Sequence, residues 1–258
     1  MNKPVIVSAN NELVKRARSL RQKKHRVETG LFLVEGIHHI GQALEAGWNM
    51  EWVFYAPDRL ASRYANELIA RVSEKARPVS NDVVNSLAEK DNPQGIVAVF
   101  RQRQTLASDL EPSGSAVALV SPQDPGNVGT ILRTMDAIGV DALFLVDGGV
   151  ELYHPTLIRS SMGAIFWKRV SQTSFEEFRA WAQTAGCQLI GASVHADMDY
   201  KTLVPQAPWA LVLGSEQKGL SAEQVNACDV TVSLPMRGRV SSLNLAVAAG
   251  VLLYALKT

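Results

Sequence analysis

Three polar stretches, each set just after an apolar run, hold the side chains that could do chemistry: Asn127 to Arg133 (NVGTILR), Gly214 to Ser221 (GSEQKGLS), and the turn LPMRGRVSSLNL from Leu234 to Leu245. Arg133 is a cation within the first two turns of a helix, on the face that carries Gly129 and Thr130 at i−4 and i−3. Glu216 is a carboxylate in a Gly-flanked loop past a strand, which is where α/β folds bind ligands. Ser242 and Asn244 open the apolar helix Leu245 to Leu256. The free N–H groups of a helix start take either a Ser or Asn cap or a polar ligand group, and Asn127 carries the same double reading. A cation, a carboxylate, a hydroxyl and two amides can orient a reacting oxygen and stabilise charge that develops on it.

Several other chemistries lack their residues. After the apolar strand ending at Val120 the chain reads SPQDPGNVGT, without the G-x-G-x-x-G of dinucleotide and nucleotide-type donor sites. Gly148-Gly149 forms no fingerprint, and Gly191 to His195 is only half of a nucleophile elbow. There is no Walker A sequence, and no His, Glu or Cys set has metal-ligand spacing. His38 and His39 are neighbours on a helix and so face different ways. These absences argue against hydride transfer, phosphoryl transfer, serine hydrolysis and a catalytic metal.

The elements that must position the three stretches read as a parallel α/β unit beginning at Ala116. AVALVS is continuously apolar, the pattern of a strand buried on both faces. Pro122 to Gly126 is a loop, the first motif helix spans about Val128 to Ile138, and ALFLV (142–146) is the next strand. Further strands are predicted at 168–171, 188–192, 209–213 and around Val230 to Leu234, with a helix over Phe175 to Ala185.

Before this unit the pattern alternates as well, through LFLV (31–34), a helix from Ile37 to Ala46, a strand at Trp52 to Tyr55, helices at Ala61 to Val72 and from Ser80, and GIVAVF (95–100). The polar segment QRQTLASDLEPSGS (102–115) has no apolar period and reads as an interdomain linker. The division is then 1–101, a linker at 102–115, and 116–258.

Net charge is +1, so any nucleic-acid surface must be local. The local excess is N-terminal: Lys15, Arg16, Arg18, Arg21, Lys23, Lys24 and Arg26 face only Glu12 and Glu28. A helix capped by Asn10 or Asn11 puts Leu13, Ala17 and Leu20 inside and leaves these charges outside and in the loop that follows, as a phosphate-contacting set. Cys187 and Cys228 are isolated, which predicts reduced thiols and a cytoplasmic protein. No apolar run is long enough for a membrane span.

In order and spacing, the stretches at Asn127–Arg133, Gly214–Ser221 and Asp229–Tyr254 resemble the signature motifs of the SpoU (TrmH-type) RNA ribose 2′-O-methyltransferases, of the SPOUT group. Ser161-Met162-Gly163-Ala164 is similar too, and the opening through LFLVEG resembles the L30e-like RNA-binding domain that precedes many such catalytic domains. The resemblance implies a C-terminal knotted, mostly parallel sheet domain after a small L30e-like α/β domain, a trefoil knot, and a homodimer with donor sites near its interface. It implies S-adenosylmethionine as cofactor, held by positions matching Leu213, Gly214, Leu234, Met236 and Leu243. It implies an active site of Asn127, Arg133, Glu216, Ser242 and Asn244, with Glu216 orienting Arg133 or substrate. A guanidinium hardly deprotonates, so charge stabilisation suits Arg133 better than general-base work. Gln217 departs from the family's GSEG or GAEG and is costly if the loop needs a positive φ there.

The expected activity is methyl transfer to a ribose 2′-hydroxyl of structured RNA, ribosomal RNA being favoured over transfer RNA, with no metal and no membrane. The alternatives are a transfer-RNA methyltransferase and a non-catalytic RNA-binding protein that kept the fold. The five active-site positions are all present, against the latter.

Overall fold

The computed structural model describes residues 3–89, 93–110, 114–140 and 142–257. It divides into two compact units, Met1–Arg103 and Gln104–Thr258.

The first unit is a four-stranded sheet with helices. Its elements are α1 (Glu12–Ser19), α2 (Lys23–Thr29), β1 (Leu31–Glu35), α3 (Ile37–Glu45), β2 (Met50–Tyr55), α4 (Arg63–Arg71), β3 (Ala76–Pro78), α5 (Asn81–Leu87) and β4 (Ile96–Arg101). The sheet order is β1-β4-β2-β3, with β4 antiparallel to both neighbours and β3 parallel to β2. Asn11 caps α1 through Leu13 N, and Val14, Ala17 and Leu20 sink into a core with Phe54, Val83, Leu87 and Val97. The segment after α1 is helix α2, not the loop the sequence predicts. Its one buried residue is Arg26, and Gly30 ends it at φ 64°.

The second unit holds β5 (Ser115–Val120), α6 (Pro125–Ile138), β6 (Ala142–Val146), α7 (Pro155–Ser160), β7 (Arg169–Thr173), α8 (Phe175–Thr184), β8 (Gln188–Ala192), β9 (Met198–Asp199), β10 (Trp209–Leu213), α9 (Ala222–Asn226), β11 (Val230–Ser233) and α10 (Leu245–Lys257). Its seven strands run in the order β7-β6-β5-β10-β8-β11-β9, and every pairing is parallel. Strands β5, β6 and β10 are buried along their whole length, as two covered faces require. Ala118, Phe144 and Val212 pack with Phe178 and Ala182 of α8, while α10 packs against α6 and β10. Helices α6 and α7 cross closely, because a Cβ on Gly129 would come within 2.6 Å of Leu157 O.

The expected linker is docked at both ends. Gln102 donates its backbone N–H to Gly30 O at 2.7 Å in the first unit. Leu110 is buried in the second, where its carbonyl accepts from Trp181 Nε1 at 2.6 Å. Residues 111–113 of that segment lie outside the described residues. Among the described residues no helix is long and apolar enough to cross a membrane, and no group of three or more His, Cys, Asp or Glu could hold a metal ion.

Candidate active site

Because the seven strands are parallel, their carboxyl ends lie on one edge, and the loops leaving them meet there. Three loops matter: Ser121–Asp124 after β5, Gly214–Ser221 after β10, and Leu234–Asn244 between β11 and α10.

The first motif helix starts earlier than its apolar period suggests. Asp124 is the N-cap of α6, accepting from Asn127 N at 2.8 Å, and Pro125 takes the first helical position. Asn127 is therefore not the cap, and its side chain is available for longer contacts. Its Nδ2 donates to Glu216 Oε1 at 3.1 Å, and its Oδ1 accepts from Asn244 Nδ2 at 2.9 Å. Asn244 in turn caps α10, its Oδ1 accepting from Ala246 N at 2.9 Å and Val247 N at 3.3 Å. One chain of side-chain amides thus ties together the three stretches.

Glu216 is held from the other side by backbone. It accepts from Gln123 N at 3.0 Å and Asp124 N at 3.4 Å, at the loop entering α6. Partial burial pushes its carboxyl up, but the Asn127 amide and the backbone donors outweigh that and leave it below the usual carboxylate range. Its side-chain partners are Asn127 and the backbone entering α6, and Arg133 is not among them. Arg133 is exposed on α6 and, among the described residues, makes no hydrogen bond or ion pair. Asp136, its potential partner one turn on, is occupied by Trp167 Nε1 at 2.8 Å and Lys168 Nζ at 3.2 Å.

Beside this network lies a cavity of about 480 Å³. Its wall includes all five positions expected to hold a donor: Leu213, Gly214, Leu234, Met236 and Leu243. Glu216 and Ser242 line it as well, whereas Arg133 and Asn127 do not. Gly214 has no room for a side chain, since a Cβ would stand 2.0 Å from Gly219 C and 2.3 Å from Leu220 N. The positive φ of this loop falls on Gly219 (65°) and not on Gln217, so the departure from the family's glycine carries no backbone strain. Val194 and His195, in the loop after β8, also line the cavity. Neither stands out in the sequence by residue type, although a loop at a parallel strand's carboxyl end is itself a signal.

The basic N-terminal set is less uniform than the charge pattern suggests. Arg21, Lys23 and Lys24 are exposed, and Lys15 is exposed beside Glu12 at 3.2 Å. Arg16 lies over the Trp52 ring at 5.2 Å, and Arg18 donates to Ala9 O at 2.5 Å. Arg26 is a correction: it is 2% exposed, with Nη1 donating to Leu20 O at 2.6 Å and Arg21 O at 2.8 Å. Its guanidinium fastens the turn between α1 and α2 and is withdrawn from any RNA surface.

A parallel α/β unit whose ligand cavity is built from loops after β8, β10 and β11, with a polar network reaching the start of α6, defines the class. The match to known families is specific within that class. Residues 114–254 match the SpoU rRNA Methylase family, and residues 11–98 match the MRM3-like substrate binding domain. The chain belongs to the SpoU rRNA methylase family. It is 29% identical to a 23S rRNA (guanosine(2553)-2′-O)-methyltransferase of Bacillus subtilis, over 98% of each chain. It is 34% identical to a 23S rRNA (uridine(2479)-2′-O)-methyltransferase of Streptomyces viridochromogenes, over 91% of this chain and 85% of that one. An AdoMet-bound rRNA methyltransferase from Sinorhizobium meliloti superposes with a TM-score of 0.90 at 32% identity, covering 98% of this chain and 96% of the other.

Proposed function

We propose that this chain transfers a methyl group from S-adenosylmethionine to a ribose 2′-hydroxyl of structured RNA, ribosomal RNA being favoured over transfer RNA. The observation that carries the reading is the Glu216–Asn127–Asn244 chain beside the cavity, in a protein whose relatives are named as 23S rRNA 2′-O-methyltransferases.

The cavity suits the donor. Its volume is within the usual range for small-ligand sites, and Leu234, Met236 and Leu243 offer apolar walls for an adenine ring. Gly214 lets backbone approach a ligand closely, with Leu213 behind it. When bound, S-adenosylmethionine supplies an electrophilic methyl on a sulfonium. The chain's own work is to hold and align. Glu216, its lone pairs taken by amides, is a positioning residue that fixes Asn127 and the loop entering α6. Asn127 and Asn244 keep the first and third motifs in register. Ser242 offers a hydroxyl at the cavity wall. Arg133, a cation with no hydrogen bond or ion pair among the described residues, orients the 2′-hydroxyl or its phosphate and stabilises developing negative charge.

In the same reading residues 1–101 present RNA through Lys15, Arg16, Arg18, Arg21, Lys23 and Lys24, and residues 116–258 carry out transfer. The enzyme works as a homodimer in the cytoplasm. Support for a second copy comes from α10, whose Val247, Val251 and Tyr254 form an exposed apolar stripe at helical spacing. A trefoil knot in the C-terminal unit also belongs to the reading. The strand order supports it, since the chain goes from β8 out to the edge strand β9, inward to β10, and back out to β11 between β8 and β9.

The decisive experiment incubates purified protein with methyl-labelled donor and unmodified 23S rRNA or total tRNA, then maps the modified ribose by mass spectrometry. Label at a defined 23S ribose is expected. Label in tRNA alone moves the substrate, and donor uptake without transfer to either RNA leaves the non-catalytic reading.

A further inference from the structure

Two stacked rings sit on the surface of the first unit, on helices other than those that carry the basic segment. His38 of α3 and Tyr64 of α4 have ring centroids 5.9 Å apart and planes 18° from parallel. Both remain in water, His38 as an exposed residue and Tyr64 at 39%.

The pair is built into the helices. Gly41 stands on α3 one turn after His38, where a Cβ would lie 1.9 Å from the Tyr64 hydroxyl oxygen and 3.0 Å from Cζ. Glycine is a poor residue for a helix interior, and here its missing side chain is the room in which Tyr64 lies across α3. The immediate surroundings are polar and charged: His39 is next in sequence, and Arg63 pairs with Glu67 at 2.7 Å. That does not suit a protein partner's apolar anchor. The charge of the unit points to a polyanion instead. Met1–Arg103 carries 16 Lys and Arg against 11 Asp and Glu, a net +5, whereas Gln104–Thr258 carries 10 against 14, a net −4. Exposed π-faces within a basic unit are what an unpaired base on a phosphate backbone requires. Both rings fall within the stretch that matches a substrate-binding domain.

We propose that the His38–Tyr64 face is a stacking platform for an unpaired nucleobase of the RNA substrate. This rests on the RNA-methyltransferase reading and adds to it a place, outside the catalytic unit, where a base rather than a phosphate is held.

The test is equilibrium binding of the full chain to an unmodified 23S rRNA transcript over a range of salt. His38→Ala weakens binding roughly five- to hundredfold, the range for loss of one base–aromatic stack. The slope of log affinity against log salt stays that of the wild type, because no phosphate contact is lost. His38→Tyr restores affinity, Tyr64→Phe keeps it, and the melting temperature and S-adenosylmethionine affinity of His38→Ala are those of the wild type. Wild-type RNA affinity in both His38→Ala and His38→Glu overturns the platform and leaves the methyltransferase reading standing. A shallower salt slope in His38→Ala overturns it too, by making the contact one to phosphate. Failure of the wild-type chain to bind either rRNA or tRNA overturns both.

Discussion

Asn127 donates its side-chain Nδ2 to Glu216 Oε1 at 3.1 Å, across 89 residues of chain. The contact also fixes which way the Asn127 amide faces, since its oxygen is the acceptor for Asn244 Nδ2 at 2.9 Å. Glu216 needs donors and Asn244 needs an acceptor, and one amide in one orientation satisfies both. The second-motif loop, the start of α6 and the start of α10 are therefore tied to one another by side-chain hydrogen bonds.

A double-mutant cycle measures that coupling. Asn127→Ala and Glu216→Ala each weaken donor binding, and the pair together costs less than the sum, with an interaction of about 0.5–3 kcal/mol. Isothermal titration with S-adenosylmethionine reads it directly. Strict additivity would mean that the two side chains merely lie near each other.

Acid exposes the same carboxylate. Glu216 is held below the ordinary value of 4.5 against the opposing effect of its partial burial. A lowered folded-state value adds stability that is fully present above the unfolded value and is lost as pH falls through the folded one. Thermal melts from neutrality to about pH 3 should then show Glu216→Gln losing less stability than the wild type over the acid limb, near and below an unfolded Glu value of about 4.3. Parallel acid limbs in the two proteins would remove the network from the pH response.

Gly214 tolerates no side chain. A Cβ there would meet the backbone of Gly219 and Leu220 at 2.0–2.3 Å, and backbone cannot swing aside as a side-chain tip can. Gly214→Ala must spread the loop, at an overpacking cost of about 1–3 kcal/mol. Since 1.4 kcal/mol is about tenfold in affinity, donor binding falls by roughly five- to 150-fold where that cost falls on the bound form. Unchanged affinity would show that the cavity wall does not contact the donor.

These effects were legible in sequence to the extent that the site depends on chain direction. Glu216 and the Leu234–Leu243 turn were readable because each follows a strand-like run, and parallel strands bring such loops to one edge. Apolar period starts α6 too late because Asp124-Pro125-Gly126 offers little of it, although Asp before Pro is itself a helix-start signal. Helix α2 was invisible to periodicity, since KKHRVET buries only Arg26. Nothing in hydropathy foretells a guanidinium buried on carbonyls. Leu110 reads as linker because scattered apolar residues in a polar segment have no period, yet it packs in the α8 core with Phe178 and Phe144.

The two cysteines should be chemically quiet in the folded protein. Burial first, and the Asp229 carboxylate second, push both Cys187 and Cys228 up to about 12. At pH 8 such a thiol is thiolate to only about one part in 10⁴, against roughly a quarter for an ordinary Cys of pKa about 8.5. Native protein is expected to react with Ellman's reagent on the order of a thousandfold more slowly than protein unfolded in guanidinium. A fast native phase for either thiol would contradict the burial.

Arg133 separates fold from chemistry. It is exposed and, among the described residues, has no hydrogen bond or ion pair, so Arg133→Ala should shift stability by no more than about 0.5 kcal/mol. It is also absent from the cavity wall, so affinity for S-adenosylmethionine should hold. If its guanidinium stabilises charge on the 2′-oxygen, the loss falls on turnover, by about 10²–10³ for one such electrostatic group. Lysine keeps the charge but not the planar fork, so Arg133→Lys should recover only part of the rate. Single-turnover assays on 23S rRNA, with melts and donor titrations of the same preparations, resolve the three quantities. Loss of donor binding in step with turnover would make Arg133 a structural residue of the donor site, and wild-type turnover would remove it from the site.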